Sequence, residues 1–235
     1  MIQSVLIIGG SSGIGLALAE HYQRLSGVVS VISRQSAPSH NRWHWFEDSF
    51  NDNARSADCV QRALQHQPDT IFICNGVLHD INAMPEKTIR QLNTDILLQR
   101  LHSNVAVPAH YLQLLFSYIS KKPNIKLLVL SAKVGSITDN ALGGWYSYRI
   151  SKAALNMLVK NYSIEVGRLN ISAAIVSVHP GTTDTALSAP FQKNVPPTQL
   201  QTTLSTAARM AQVAQLVQPE QSGALLNWDG SELPF

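Results

Sequence analysis

The stretch SVLIIGGSSGIG, residues 4–15, joins a short apolar run to a turn that contains four glycines. An apolar run bounded by glycines predicts a buried strand, and the residues after the turn follow a helical pattern over Ile14–Leu25. The free N–H groups and the dipole at the start of such a helix favour a bound phosphate group. Glycine suits the turn because a Cβ atom would keep a phosphate away from the main chain. The stretch therefore predicts a strand, a phosphate-binding turn and a helix in direct succession.

Strand and helix patterns continue to alternate along the rest of the chain. Short apolar runs predict seven strands: Ser4–Gly10, Val28–Arg34, Trp43–Asp48, Thr70–Gly76, Ile125–Ala132, Ile171–His179 and Gly223–Trp228. Helical patterns lie between them, including Ile14–Leu25, Ala54–His66, Leu97–Ile119 and Tyr148–Leu169. This alternation favours a parallel sheet covered on both faces. We expect one domain over residues 1–235 with a Rossmann-type, doubly wound α/β fold, in which helices flank a mostly parallel seven-stranded sheet.

The composition is typical of a globular protein. Of the 235 residues, 45% are hydrophobic and 14% are charged, which is the opposite of a disordered chain. The net charge of +3 comes from scattered Lys and Arg residues, so neither nucleic acid nor an anionic membrane is an expected partner. The N-terminus lacks the basic stretch of an export signal, and no apolar run reaches the roughly 18 residues that span a bilayer. We expect a cytoplasmic protein whose two cysteines, Cys59 and Cys74, are reduced and structural.

The residues after the predicted second strand bear on the choice of nucleotide. A site for NAD usually has an acidic residue there, which binds the ribose hydroxyl groups, whereas this chain has Ser33 and Arg34. An arginine at this place favours the 2′-phosphate of NADP. Two alternatives stay open from the residues alone: the glycines of the turn serve only its packing, and Arg34 is a solvated loop residue.

Tyr148 and Lys152 lie four residues apart in a helical pattern and so share one helix face, one turn apart. A free tyrosine has a pKa of about 10, so a tyrosine that acts as an acid or base near neutral pH needs a nearby cation to stabilise its phenolate. Lys152 is placed to supply that charge. The alternative is a packed tyrosine ring beside a solvated amine, which the pair alone does not exclude.

Four motifs follow one another along the chain: GGSSGIG at 9–15, Asn104, the YxxxK pattern of Tyr148 and Lys152, and HPGTTDT at 179–185. Their order and intervals resemble the short-chain dehydrogenase/reductase family over essentially the whole chain. Three longer phrases are similar to the C-factor-like subset of that family: GVLHD at 76–80, SAKVGSITDNALGGWYSYRISKAALN at 131–156 and LNWDGSELPF at the C-terminus. The resemblance implies an oxidoreductase that uses NADP(H).

The resemblance also implies roles for individual residues. Tyr148 would donate a proton to a substrate carbonyl, Lys152 would bind the nicotinamide ribose and lower the Tyr148 pKa, and Asn104 would anchor a water in the proton relay. Asp48 would contact the adenine, with the neighbouring Glu47 as the alternative register. The implied cofactor-binding residues are Gly9, Ser11, Ser12, Gly13, Ile14, Gly15, Ser33, Arg34, Asp48, Asn75, Gly76, Tyr148, Lys152, Pro180, Gly181, Thr182, Thr183 and Thr185.

The chain departs from the family pattern in three places. The opening Thr of the glycine-rich motif is Ile8, and the segment often written NNAG is ICNG at 73–76. The third departure concerns chemistry, because the family's catalytic Ser lies three residues before a Gly and that place is Ala132. We expect Ser136 to be the substitute donor to the substrate oxygen, with Ser131 as the second choice and no replacement as the third.

These observations favour an NADP(H)-dependent oxidoreductase that moves a hydride between the nicotinamide and a carbonyl or secondary alcohol. The alternative is a dinucleotide-binding regulatory or signalling protein, which Ala132 favours. A small-molecule substrate is expected, and its identity stays open. We expect a homodimer or homotetramer with Trp228 and Phe235 at the subunit contact, and no metal, since His40 and His44 lie in a Ser/Asn-rich loop.

Further residues are expected around the substrate. Trp145 and Phe191 are candidates for an apolar wall, with simple packing as the alternative. His79 and Asp80 either line the pocket or stabilise a loop. The proline-containing stretch Thr182–Thr198 has the composition of a mobile active-site loop.

Overall fold

The computed structural model describes residues 3–39, 42–50, 52–81 and 83–235. The strands are β1 (Ser4–Ile8), β2 (Val28–Ser33), β3 (His44–Glu47), β4 (Thr70–Ile73), β5 (Lys126–Leu130), β6 (Ala174–Val178), β7 (Leu225–Leu226) and β8 (Glu232–Leu233). The helices are α1 (Gly13–Arg24), α2 (Asn53–Leu64), α3 (Thr94–Leu101), α4 (Val107–Ile119), α5 (Tyr146–Gly167) and α6 (Thr203–Leu216). Strands and helices alternate as the sequence predicts.

Over the described ranges, the strands form one eight-stranded sheet in the order β3-β2-β1-β4-β5-β6-β7-β8. The pairs from β3 to β7 are parallel, and β8 is antiparallel to β7. The predicted doubly wound α/β class is confirmed. The predicted count of seven strands is wrong, because β8 is only two residues long and follows β7 through a tight turn.

Two layers of apolar side chains lie on opposite faces of the sheet. In β1, Leu6 and Ile8 pack with residues of α2, α4 and α5, whereas Val5 and Ile7 pack with residues of α1 and α6. Alternate residues of a strand point to opposite faces, so a strand that is apolar throughout fits a sheet covered on both sides. Because the strands from β3 to β7 are parallel, their carboxyl ends all lie at the same edge of this sheet, whose two faces are covered.

Several of the elements predicted from the sequence differ from those of the structure. The predicted helix Leu97–Ile119 begins earlier, at Thr94, and is interrupted by a π-helical turn over His102–Ala106. The strand predicted over Ile171–His179 begins at Ala174; residues 171–172 form a turn, in which Ile171 is 86% exposed. His44 starts β3 and does not lie in a loop, and α6 is not among the predicted helices.

Candidate active site

A cavity of about 700 Å³ lies at the carboxyl edge of the sheet. Its walls are formed by the segments that follow β1, β4, β5 and β6, together with the first turns of α5. Ligands of doubly wound sheets bind at this edge, where the loops of several strands meet. The cavity is therefore the candidate active site.

Most of the residues predicted for the site line this cavity. They are Gly9, Ser12, Gly13, Ile14, Gly15, Asn75, Gly76, Tyr148, Lys152, Pro180, Gly181, Thr182, Thr183 and Thr185. The remaining predicted residues are not part of its lining: Ser11, Ser33, Arg34, Asp48, Asn104 and Ser136. The structure thus brings the glycine-rich turn, the Tyr148/Lys152 pair and the segment after β6 to one cavity, although they are far apart in sequence.

The glycine-rich turn has the geometry of an anion site. Gly9 has a positive φ of 86°, and a Cβ atom at Gly15 would lie 2.3 Å from the Gly9 carbonyl oxygen. Helix α1 begins at Gly13 without an acidic residue in its first turn, and Ser12 makes no side-chain cap hydrogen bond. The first N–H groups of α1 therefore lack a side-chain acceptor from Ser12, as a helix start that binds a phosphate requires.

The neighbouring segments also fit a dinucleotide. The Asn75 Oδ1 atom is buried in the cavity wall without a hydrogen-bond partner, so a ligand hydroxyl or amide that donates to it would stabilise both groups. After β6, Thr185 approaches the turn closely, since a Cβ atom at Gly13 would lie 3.4 Å from its Cγ2 atom. The Thr183 hydroxyl forms a 2.8 Å hydrogen bond with the hydroxyl of Thr206 in α6, which fixes the Thr183 side chain.

The residues predicted to hold the adenosine end lie next to one another beyond β2 and β3. Arg34 is exposed directly after Ser33, the last residue of β2. The Asp48 carboxylate is buried and accepts hydrogen bonds from the Tyr111 hydroxyl at 2.7 Å and from the Phe50 N–H at 2.9 Å. Asp48 therefore already has internal partners, and it raises the Tyr111 pKa together with the burial of that ring.

Tyr148 lies on the first turn of α5, with its ring at the wall of the cavity. Its side chain is buried, and burial raises the pKa of its hydroxyl above the usual value. Burial thus opposes the lowering of the Tyr148 pKa that the resemblance implies. The Lys152 Nζ atom lies 5.8 Å from the centroid of the Tyr148 ring. Its positive charge stabilises the phenolate and so lowers the pKa of Tyr148.

Lys152 is itself 3% exposed, and its ammonium group donates a 2.9 Å hydrogen bond to the Leu130 carbonyl. Burial lowers the pKa of Lys152 to about 8. Behind it, Asn104 lies in the π-helical turn and is fully buried. Its Oδ1 atom accepts a hydrogen bond from the Val77 N–H, and its Nδ2 atom donates to the Val77 carbonyl and, at 2.9 Å, to the Ser151 hydroxyl. Asn104 therefore ties the segment after β4 to α5.

The three residues considered for the substrate oxygen have different surroundings. Ala132 lines the cavity and packs against Tyr148. Ser131 also belongs to the lining, but its hydroxyl donates to Asn156 Oδ1 at 2.6 Å. Ser136, the preferred residue from the sequence, is absent from the lining, and its Oγ atom accepts a hydrogen bond from the Asp139 N–H at 3.1 Å. The turn Lys133–Gly135 separates Ser136 from Ala132, and Asp139 is itself part of the lining.

The aromatic residues near Tyr148 pack as a wall. The Trp145 and Phe191 rings lie 4.9 Å apart, and the Trp145 ring also contacts the Tyr148 ring edge-on. His79 stands behind Phe191, with its Nε2 atom near the Leu187 carbonyl. Asp80 instead forms a 2.7 Å ion pair with Arg100, so His79 and Asp80 each stabilise a separate loop contact.

Glu86 is a buried carboxylate that holds the start of α5, and no motif in the sequence predicts this role. Glu86, 6% exposed, accepts hydrogen bonds from the N–H and the hydroxyl of Ser147, and its main-chain oxygen accepts from the Trp145 N–H. Trp145 precedes α5 with a positive φ of 52° and makes no side-chain cap bond of its own. Glu86 thus caps α5 from a segment 60 residues earlier, which a local capping pattern does not reveal.

A model of the short chain dehydrogenase family matches residues 3–196 of this chain. The chain belongs to the short chain dehydrogenase family. A relative from Rhodococcus sp. (strain AD45), 1-hydroxy-2-glutathionyl-2-methyl-3-butene dehydrogenase, is 28% identical over the full length of both chains. C-signal of Myxococcus xanthus is 31% identical over 45% of this chain and 58% of its own length.

A solved structure supports the fold of this family member. The NADPH-bound carbonyl reductase from chicken fatty liver superposes with a TM-score of 0.83 at 22% identity, covering 100% of this chain and 94% of its own. At this identity the likeness bears on the fold alone. It agrees with the parallel sheet and flanking helices described above.

Two further findings concern metals and membranes. In the described part of the chain, no group of three or more His, Cys, Asp or Glu side chains is placed to hold a metal ion. His40 lies outside the described residues, and the His44 ring stacks on that of His66 at 3.6 Å. None of the helices within the described ranges has the length and apolarity needed to cross a bilayer.

Proposed function

We propose that this chain is an NADP(H)-dependent oxidoreductase that transfers a hydride between the nicotinamide and a carbonyl or secondary alcohol. The observation that supports it best is that one cavity joins Tyr148 and Lys152 to a glycine-rich turn at the start of α1. Membership of the short chain dehydrogenase family supports an oxidoreductase. The NADPH-bound relative from chicken fatty liver supports the choice of cofactor.

The cofactor, when bound, supplies or accepts the hydride at its nicotinamide ring. The residues that would hold its phosphates are those of the turn at 9–15 and the segment at 180–185, most of which line the cavity. Arg34, exposed after β2, would pair with the 2′-phosphate. Asn75 and Lys152 would face the ribose of the nicotinamide side.

Tyr148 would act as the acid in the reduction and as the base in the oxidation. Its raised pKa keeps the hydroxyl protonated at neutral pH, so it is ready to donate to a carbonyl oxygen. As the proton leaves, negative charge develops on the phenolate, and the Lys152 ammonium stabilises it. Asn104 would position α5 and, by the resemblance, a relay water. We keep Ser136 as the proposed substitute donor to the substrate oxygen: it is not part of the lining, but its Oγ atom accepts a hydrogen bond from the N–H of Asp139, which lines the cavity.

The second candidate is a regulatory or signalling protein that binds the dinucleotide with little turnover. The observation that favours it is the Ala132 methyl group beside Tyr148, where a donor to the substrate oxygen is expected. The match to C-signal of Myxococcus xanthus over part of the chain also supports it. The pairing of a buried tyrosine with a buried lysine favours catalysis, since a binding module has no need of it.

One experiment separates the two candidates. The purified protein is mixed with NADPH and a panel of aldehydes and ketones, and cofactor oxidation is followed by absorbance while NADPH affinity is measured by fluorescence. Turnover of any carbonyl supports the oxidoreductase. Tight NADPH binding without oxidation across the panel contradicts it and supports the regulatory protein.

We also propose that the chain is a single-domain cytoplasmic protein that forms a homodimer or homotetramer. The 40% exposed Phe235 ring supports a contact at the C-terminus, whereas the Trp228 ring packs within the chain, 4.2 Å from the Arg209 guanidinium. Light scattering at tens of micromolar is expected to give a dimer or tetramer. A monomer at that concentration would overturn the proposal.

A further inference from the structure

The loop at 136–145, which leads from the turn Lys133–Gly135 to α5, forms part of the cavity wall near Tyr148. Its residues in the lining are Asp139, Ala141, Leu142 and Trp145. The middle of the loop is poorly packed, since residues 137–143 are all exposed and Leu142 is 92% exposed. Burial therefore contributes little to the position of this wall, which depends on hydrogen bonds.

The hydrogen bonds within residues 137–143 are mostly local, such as the one from the Asp139 N–H to Ser136 Oγ at 3.1 Å. Over the described ranges, Thr138 is the one residue of 137–143 that forms hydrogen bonds to a segment distant in sequence. Its N–H and its hydroxyl both donate to the main-chain oxygen of Phe235, at 3.1 and 2.5 Å. The exposed part of the loop is thus tied to the residues that follow β8.

Phe235 is held in place because the strands before it belong to the sheet. We call residues 225–235 the C-terminal hairpin: it consists of β7, β8, the turn between them and the two residues after β8. β7 pairs with β6 and with β8, and its Leu225 and Leu226 side chains are fully buried. The Thr138 contact therefore connects an exposed loop to the core of the protein.

The same hairpin contacts a second part of the cavity wall. Gly181, in the segment at 180–185, has a positive φ of 80°, and a Cβ atom there would lie 3.3 Å from Trp228 Cδ1. Gly181 lines the cavity. The Arg209 guanidinium covers the Trp228 ring, 4.2 Å from its centroid. One hairpin therefore contacts both the wall near Tyr148 and the segment proposed to hold the cofactor phosphates.

We propose, on the basis of the function proposed above, that the C-terminal hairpin positions the active site, with Thr138 and Trp228 as its positioning residues. Thr138 sets the loop beside which the carbonyl compound lies, and Trp228 sets the segment that binds the cofactor. Hydride transfer needs the nicotinamide and the carbonyl carbon at a defined distance, and a misplacement of about 1 Å costs about 10² in rate. Because both walls are anchored to one short hairpin, it fixes their relative position.

Thr138→Val tests the loop contact. It removes the hydroxyl and keeps the branched side chain, so one of the two hydrogen bonds to Phe235 is lost. We expect kcat/KM for an accepted aldehyde to fall about 3–10-fold, while NADPH affinity stays within about twofold. Thr138→Ser keeps the hydroxyl and should restore the wild-type value.

Trp228→Leu tests the contact with the cofactor segment. The smaller side chain leaves Gly181 without the ring that packs against it. We expect NADPH binding to weaken about tenfold, and KM for the aldehyde at saturating NADPH to stay within about twofold. A loss of stability alone would not separate the two measurements in this way.

The turn of the hairpin offers a variant that removes neither contact. Gly230 has a positive φ of 85°, and no atom lies within 4 Å of a Cβ atom built there, so Gly230→Ala strains the turn without a clash. It should change aldehyde KM and NADPH affinity together, each by at least about twofold. Gly167→Ala is the matched control, because its Cβ also has free space and its φ is not positive, and it should change neither.

Hydrogen exchange gives a readout that does not depend on turnover. Thr138→Val should speed amide exchange within residues 136–145, Trp228→Leu within 180–185, and Gly230→Ala within both. Amides in the middle of α5 should be unchanged in all three variants. Faster exchange in every segment alike, or no change in either wall, contradicts the proposal.

The failure of this inference is distinct from the failure of the proposed function. If the wild type reduces no carbonyl compound, the oxidoreductase function fails, and NADPH affinity together with hydrogen exchange still decides whether the hairpin holds the two walls. If carbonyls are reduced and the variants Thr138→Val and Trp228→Leu change only thermal stability, the function stands and the positioning role is wrong.

Discussion

The two ends of the cavity recognise their ligands with different parts of the chain. At the glycine-rich turn the wall is main chain, where Gly9 and Gly15 remove the Cβ atoms that would fill the space. At the other end the wall is made of side chains from Leu78, Ala132 and Tyr148, which come from three different segments. A main-chain site therefore depends on its glycines, whereas a side-chain site depends on the chemistry of the individual side chains that line it. The comparison predicts that mutations at the two ends affect different measurements.

Tyr148→Phe should have the largest effect, and it should affect catalysis alone. It removes the hydroxyl that donates to the carbonyl, so kcat for an accepted substrate is expected to fall by about 10²–10⁴ or more. NADPH affinity should stay within about twofold, because the glycine-rich turn is unchanged. Steady-state kinetics and a fluorescence titration measure the two effects, and wild-type turnover in this variant would disprove the mechanism.

Reduction should slow as pH rises above about 8. Burial lowers the pKa of Lys152 from 10.5 to about 8, so its charge is present below pH 8 and is lost above it. Without the cation the Tyr148 phenolate loses its stabilisation, and kcat/KM should fall about tenfold per pH unit, or about 10² by pH 10.

Deprotonation of Lys152 does not unfold the protein, so a loss of folded protein does not explain this decline in kcat/KM. The unfolded chain binds a proton at Lys152 up to a higher pH than the folded chain, so between pH 8 and 10.5 this group makes folding more favourable as pH rises. Lys152→Arg keeps its charge throughout this range and is the control. A decline of the same shape in that variant would assign the titration to another group.

Arg34→Ala tests the nucleotide end. Loss of a charge-assisted contact to the 2′-phosphate should weaken NADPH binding about ten- to hundredfold, while NADH binding stays nearly unchanged. Turnover at saturating NADPH should be the same as in the wild type. Equal affinities for NADPH and NADH in the unmodified protein would instead make Arg34 a solvated loop residue.

The smallest expected effect concerns Glu86, which caps the first turn of α5, the helix that carries Tyr148. Glu86→Ala leaves the buried N–H and hydroxyl of Ser147 without their acceptor, which should lower the free energy of unfolding by about 1–3 kcal/mol. Glu86→Gln keeps an acceptor oxygen and should recover most of the loss. Denaturant unfolding of both variants gives the comparison, and an unchanged stability in Glu86→Ala would show that Glu86 does not hold α5.

The sequence by itself determined the architecture and the main-chain end of the site. Apolar runs alternating with amphipathic helices leave few arrangements besides a covered parallel sheet, and glycines before a helix have a local conformational reason. The helical spacing of Tyr148 and Lys152 also placed these two side chains on one face. Such features depend on residues close together along the chain.

Only the tertiary structure decided which side chains meet around Tyr148. Ser136 lies four residues after Ala132, but it is not part of the cavity lining, and its Oγ atom accepts a hydrogen bond from the N–H of Asp139, a lining residue. The Glu86 cap and the two-residue strand β8 depend on contacts between segments distant in sequence or on very short pairings. Neither has a periodic pattern, because its position is set by the packing of the whole chain and not by the local sequence.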